Sequence, residues 1–306
     1  MENAQEQGVQ IVASETSLFS TPQEHLDPRL FRNGKIIPSV RSGVLAALYG
    51  HLNLLFSDAE AWTTVWLAGS GVSYQWAAQR TPADLDCLIG VDYIAFRRAN
   101  TNLKSFSDRE IAATINEGFR QLLHPQTSNF LGEFELTFYV NVISDITKIN
   151  PYAAYSLTAD DWTVAPSNAV ESFPPDYFEK AGKDVRMAQD IISRYQQALN
   201  DMSVARNEPS RLNAKARAQL ATQQASHLFE EIHGGRGVAF MPSGGGYRDY
   251  ANFRWQYGKS QGIVQALKQL RDMQKNERKA AERALYGAEL PDAATLIRRA
   301  ASQYRG

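Results

Sequence analysis

The hydrophobic periodicity of this chain changes at Pro175, and that change bounds what it can fold into. Before it, the stretch GEFELTFYVNVI sets polar or small Glu133, Glu135, Thr137 and Asn141 against apolar Phe134, Leu136, Phe138, Val140 and Val142. A period of two predicts a strand with one face in a core and the other open. After it, Phe178, Ala181, Val185, Ala188, Ile192, Tyr195, Leu199 and Met202 advance by threes and fours, and Leu212 to Ile232 and Ile263 to Met273 repeat the habit. That is the seam of packed helices. With 306 residues, 43% of them hydrophobic, the chain can bury one large or two modest cores. The expected class is therefore α+β, a sheet-based part followed by an all-helical part, with the boundary in the irregular, Pro-rich stretch 151–175.

Residues 1–37 are polar and punctuated, which predicts a lead or a strap over the surface. From Ser39, placed to cap it, an amphipathic helix carries Val40, Val44, Leu45, Leu48, Leu52 and Leu55 and ends near Phe56. TTVWLAG and DLDCLIGVDYIAF read as strands, with a helix-compatible VSYQWAAQR between them. Ser107 and Asp108 open a helix with Ile111, Ile115, Phe119, Leu122 and Leu123 on one face, expected to close before His124-Pro125. Three parts follow: a lead over 1–37, a sheet-based domain over 38–175, and a helical domain over 176–306. Inside the last, HGGRGVAFMPSGGGYRDYANFRWQYGKS is too glycine-rich for regular structure, and dense in Arg and aromatic residues.

Net charge is -1, but residues 1–175 carry 11 basic and 19 acidic side chains, so the formal charge is about -8 there and about +7 in the remainder. An acidic half suited to cations and a basic half suited to an anion is the functional reading; solvated helix faces are the bland one. A single cysteine, Cys87, excludes an intramolecular disulfide, a thiolate zinc site and a CxxC redox pair. No basic start followed by an apolar run opens the chain and no long apolar stretch suits a membrane span, so a soluble, cytoplasmic protein without a membrane partner is expected.

Asp84 and Asp86 are separated by one residue inside an apolar run. On a strand both carboxylates project from one face, roughly 7 Å apart. With Leu85 and Leu88-Ile89 making that strand half-buried, like charges there call for a cation, and Mg²⁺ takes one or two carboxylates plus water and phosphate. Upstream, Gly69-Ser70 ends the first strand and is expected to open a helix whose unsatisfied N–H groups attract a phosphate.

Gly69-Ser70, thirteen intervening residues, then Asp84-Leu85-Asp86 resembles the signature of the DNA polymerase β-like nucleotidyltransferase superfamily. Glu135 in GEFELTFYV resembles the third carboxylate of the EFDV strand in oligoadenylate-synthase-like members. It departs from the pattern in being Glu where Asp is usual, and Glu133, on the same strand face, is the substitute candidate. The spacing after Gly69-Ser70 also sits at the long end of the family's range.

The resemblance implies a nucleotidyltransferase-type mixed sheet with flanking helices, followed by an all-helical domain. It further implies an enzyme that moves a nucleoside monophosphate from an NTP to a hydroxyl with release of pyrophosphate. Asp84, Asp86 and Glu135 would hold two Mg²⁺ (or Mn²⁺) ions, and Gly69 and Ser70 the nucleotide, ATP or another NTP. The acceptor would be RNA, a nucleotide, a protein or a small molecule, the last two fitting a toxin or small-molecule-modifying enzyme. GGGYRDYANFRWQ is similar to uncharacterised phage-encoded nucleotidyltransferases, which would set the protein in a host cytoplasm.

In the Gly-rich segment Arg236, Arg248, Arg254 and Lys259 could pair phosphates, and Phe240, Tyr247, Phe253 and Trp255 could stack a base. Tyr74, Trp76 and Arg80, after Ser70, could face the same site, though Trp76 reads better as packing. FRWQYGKS is no P-loop, since Phe253 stands where the first Gly must be, and GSGVS lacks the order of a nucleophile elbow. His25, His51, His124, His227 and His233 show no metal spacing. The rival reading keeps the fold and drops the catalysis, leaving a nucleic-acid or partner-binding module. Oligomeric state is not readable.

Overall fold

The computed structural model describes residues 9–14, 19, 22–76, 82–169, 172–241, 243–288 and 290. They divide into two units. The sheet unit takes its residues from Glu15–Tyr177 and Arg236–Gln256, the helical unit from Met1–Ser14, Phe178–Gly235 and Tyr257–Gly306. The segment 236–256, read above as part of the helical domain, thus belongs with the sheet.

In the sheet unit the first element is a hairpin, β1 (Phe31–Arg32) and β2 (Lys35–Ile36). Asn33 and Gly34 sit at its tip with φ of 52° and 74°, the left-handed pair that tight hairpins require. Leu30, Phe31 and Ile36 are buried in the main core, so residues 30–37 are not a lead. The Asn-Gly dipeptide, flanked by Arg32 and Lys35 and then by apolar Phe31 and Ile36, was the signal for this. Next, α1 (Pro38–Leu55) has its N-cap two residues earlier than expected, at Ile37, with Pro38 in its first turn. Proline replaces the Ser39 cap because its missing N–H is one the first turn cannot use. Val40, Val44, Leu48 and Leu52 are buried, whereas Leu55 is exposed.

After α2 (Ala59–Trp62) come β3 (Thr63–Ala68), β4 (Ala83–Val91) and α3 (Tyr93–Ala99), the last capped by the Asp92 side chain on two backbone N–H groups. α4 (Asp108–Gly118) opens with a reciprocal capping box between Ser107 and Glu110. It does not close before His124-Pro125: a π turn over Phe119–Leu123 leads directly into α5 (His124–Thr127). Pro125 falls in the first turn of that last segment, where its missing N–H costs no bond, and the wider π turn accommodates its ring.

β5 (Phe134–Val140) buries Phe134, Leu136, Phe138 and Val140 as the alternation requires. β6 (Ala154–Ser156) and β7 (Asp161–Val164) complete, among the described residues, a mixed sheet in the order β5-β4-β3-β6-β7. β4 and β5 are parallel and the other neighbours antiparallel. The buried face of the sheet packs on α1, α3 and α4 through a core that includes Trp62, Leu67, Leu85, Phe96, Phe119 and Leu136. The opposite face of β4 and β5 stays open.

The long helices are α6 (Pro175–Val204), α7 (Glu208–Ala239), α8 (Tyr250–Ser260) and α9 (Ile263–Tyr286). On α6 the buried set is Ala181, Asp184, Ala188, Ile191, Ile192, Tyr195 and Ala198. The 3.5 repeat is present, but it runs through Asp184, Ile191 and Ala198 where Val185 and Leu199 were expected. On α7 the seam is alanine-rich, burying Ala214, Ala218, Ala221 and Ala225, while Leu212 and Leu220 are exposed. Small side chains there permit close helix packing, and the seam continues through the larger Leu228, Phe229 and Ile232, all buried. α7 runs through Gly234-Gly235 and α8 takes in FRWQYGKS, so most of the Gly-rich segment is helical after all. No helix among the described residues is long and apolar enough to cross a membrane.

Candidate functional site

The residues that gather around the paired carboxylates lie in the sheet unit. Along β4 exposure alternates, Asp84 and Asp86 facing out while Leu85 and Cys87 are fully buried. β4 is therefore a half-buried strand whose apolar residues fix the direction of its two carboxylates. The parallel neighbour β5 is in register, Asp84 beside Glu135 and Asp86 beside Thr137. Thr137 Oγ1 donates to Asp86 Oδ1 at 3.0 Å, orienting that carboxylate. Thr137 went unremarked as a functional residue, although it is two positions from Glu135 on a strand of period two.

On the other side of β4, Ala68 at the end of β3 pairs with Asp86, so the chain leaves β3 beside the carboxylates. Gly69 follows with φ 89° and ψ -160°, a conformation essentially reserved for glycine. A Cβ on Gly69 would lie 3.4 Å from Asp86 Oδ2 and 3.3 Å from the Tyr247 hydroxyl. Ser70 begins a three-residue 3₁₀ turn, Ser70–Val72, closed by Ser73, whose N–H and hydroxyl both donate to the Ser70 carbonyl at 3.0 Å. The helix expected from Ser70 is absent among the described residues. What lies beside Asp86 is a glycine turn with serine hydroxyls, not the positive end of a long helix dipole.

Tyr247 comes from the segment 236–256, on a 3₁₀ turn (Gly246–Arg248). Gly246 sets its position: at φ 66°, a Cβ there would lie 2.6 Å from Asn150 Cβ. The ring of Tyr247 lies against Tyr152, centroids 4.3 Å apart, and edge-on to Phe240. Burial, and then the charge of Asp86, push its phenol well above the ordinary tyrosine range, while Arg236 opposes the shift. Tyr247 therefore stays a hydroxyl donor through the neutral range. Arg236 donates to Asn252 Oδ1 at 3.1 Å and sits over Phe240 and Trp255, and Asn252 in turn donates to the Tyr247 carbonyl.

The structure thus brings the Gly69-Ser70 turn and Tyr247 beside the end of the sheet that carries Asp84, Asp86 and Glu135, with Arg236 behind Tyr247. Arg248 is exposed and lines a cavity described below, and Arg254 is half-buried on α8. Lys259 belongs to the helical unit, where its carbonyl accepts a bond from Ser14. Phe253 is fully buried against Phe19, Phe173 and Tyr177, so it is core rather than a stacking platform. Trp76 is half-buried with its indole N–H on the His25 carbonyl, as a packing residue would be. Arg80 lies outside the described residues.

Glu135 is half-exposed, and its Oε1 lies 3.6 Å from His124 Nε2; the other ring nitrogen of His124 is enclosed without a hydrogen-bond partner. Glu133 precedes the strand and lies 3.8 Å from Arg29. Among the described residues no three His, Cys, Asp or Glu side chains gather at metal-ligating spacing. The Asp84–Asp86 pair fits a hard divalent ion completed by water and phosphate. A cage of three carboxylates is not assembled. Compared with known protein families, with curated proteins and with solved structures, the chain matches none.

Proposed function

We propose that the protein is a metal-dependent nucleotidyltransferase, transferring a nucleoside monophosphate from an NTP to a hydroxyl acceptor with release of pyrophosphate. The observation that carries this reading is the juxtaposition of the Gly69-Ser70 turn with Asp86. Two sequence features fifteen residues apart meet through the β3–β4 register, on the open face of a sheet whose next strand presents Glu135. Asp84 and Asp86 would hold Mg²⁺ or Mn²⁺, which when bound neutralises charge on the attacking and leaving oxygens of an in-line displacement. The Gly69 backbone and the Ser70 hydroxyl would take the phosphate oxygens, the glycine permitting an approach that a side chain would block. Thr137 holds Asp86 in place, and the Tyr247 hydroxyl is available as a further donor to phosphate. Glu135, in register with Asp84, would accept the proton of the attacking hydroxyl, a role for which it must exchange His124 for the acceptor.

Incubation with each α-labelled NTP and Mg²⁺ or Mn²⁺, with and without RNA, DNA, protein and small alcohols, tests the reading. Label should pass to one acceptor class with pyrophosphate released. Asp84→Asn and Asp86→Asn should each abolish transfer while changing stability by no more than about 0.5 kcal/mol, as exposed positions do. Wild-type transfer by either variant would remove the metal assignment. The contact between Glu135 and His124 favours a second reading, a nucleotidyltransferase-like module that binds without catalysing. Nucleotide binding without transfer to any acceptor would select it.

A further inference from the structure

Beside the Gly69 turn is a cavity of about 310 Å³, lined within the sheet unit by Ser73, Gln75, Asn150, Tyr152, Tyr247 and Arg248 among others. Its size is at the lower end of small-molecule sites. Tyr247 links it to the phosphate side, with its ring forming part of the cavity wall and its hydroxyl beside Gly69 and Asp86. The cavity is thus one tyrosine side chain away from the acidic pair, a separation suited to the ribose and base of a nucleotide whose phosphates lie at the turn. Tyr152, packed on Tyr247, adds a second aromatic ring to the wall.

Gln75 supplies the independent observation. It is 4% exposed, its own N–H is satisfied by the Ser73 hydroxyl at 3.1 Å, and its side-chain Oε1 is enclosed without a donor. Native structures leave few such acceptors unmet, and each asks for an explanation. An N–H on the edge of a nucleobase would meet it, and a side-chain amide can bond a base edge through both of its ends. Ser73, Gln75 and the turn that binds phosphate are contiguous in sequence, so one short segment would grip both ends of the nucleotide.

We infer that this cavity holds the nucleoside of the NTP, with Gln75 reading the base and Tyr152 flanking it. The inference rests on the phosphate assignment of the preceding section. Calorimetry on the full chain with Mg²⁺ separates the two, using non-hydrolysable α,β-methylene NTPs with each of the four bases against inorganic tripolyphosphate. The preferred NTP should bind at least tenfold more tightly than tripolyphosphate. Gln75→Leu and Tyr152→Ala should each erase most of that difference, leaving tripolyphosphate binding unchanged. Ser167→Trp, at an exposed residue of the rim, should do the same by filling the cavity, and serves if a buried substitution does not fold. Equal affinity of wild type for NTP and tripolyphosphate would overturn the inference and spare the phosphate site. So would full NTP affinity in the folded variants. Binding of neither probe would overturn both.

Discussion

Gly69 concentrates the demands of the site into one residue. Its φ of 89° with ψ of -160° is a region that only glycine occupies without cost, and Asp86 and Tyr247 lie in close contact with the place where a side chain would begin. Gly69→Ala should destabilise the fold by about 1–3 kcal/mol, read by urea unfolding, and lower nucleotide affinity with it. Tyr155 makes a different residue-scale statement. Its ring is fully buried, and burial together with its hydrogen bond to Asp160 at 2.9 Å pushes the phenol up to about 12. Tyr93 is likewise pushed up to about 12, by burial and by Asp108. An unfolded tyrosine ionises near pH 10. Between about pH 10 and 12 the unfolded chain therefore gives up protons that the folded chain keeps, and stability falls as pH rises. Tyr155→Phe should flatten that slope in denaturation series taken across the window; an unchanged slope would assign the loss elsewhere.

At the scale of elements, β5 is an edge strand that carries a candidate catalytic residue, and its pairing beyond β4 is taken over by a side chain. Asn116 of α4 accepts from the Val140 N–H at 2.7 Å and donates to its carbonyl at 2.9 Å, as a neighbouring strand would. This protects the edge and ties the end of β5 to the helix above it. Asn116→Ala leaves both backbone groups without their partner and should cost about 1–3 kcal/mol by chemical denaturation. The existence of β3, β4 and β5 was legible in sequence, β3 as a run of β-branched and aromatic residues and β4 and β5 as apolar runs with polar residues at every second place, but their relative directions were not, because they are set by pairing. The π turn ahead of Pro125 and the capless start of α1 were not, since proline's effect depends on whether the surrounding turn needs its missing N–H.

For the whole molecule, the decisive fact is that the chain returns to the sheet after its helical stretch. Segment 236–256 brings Arg236, Arg248 and Arg254 into the unit that also holds the acidic pair, so the division of charge between sequence halves is not the division between folded units. Phe240 from that segment packs against a small core of Trp66, Ala68, Ile146, Ile149 and Ala154, and Phe253 joins Phe173 and Tyr177. A fragment of residues 15–177 alone would expose both patches. It should bind a hydrophobic dye and unfold at a lower urea concentration than the sheet unit of the full chain. A fragment as stable as the full chain would mean that the returning segment adds nothing to the core.

The sequence by itself determined the paired carboxylates on one strand face, the strand end at Gly69-Ser70 before them, the acidic residue on the next strand and the change to helical packing beyond Pro175. These are local patterns, set by side-chain alternation and by what each backbone conformation tolerates. Only the tertiary structure decided that Asp86 meets the Gly69 turn, that Tyr247 comes to lie beside both, that Glu135 faces His124, and that Phe253 is core. Those outcomes depend on strand register and on where a distant segment packs, and burial against partners far along the chain leaves no period in the residues themselves.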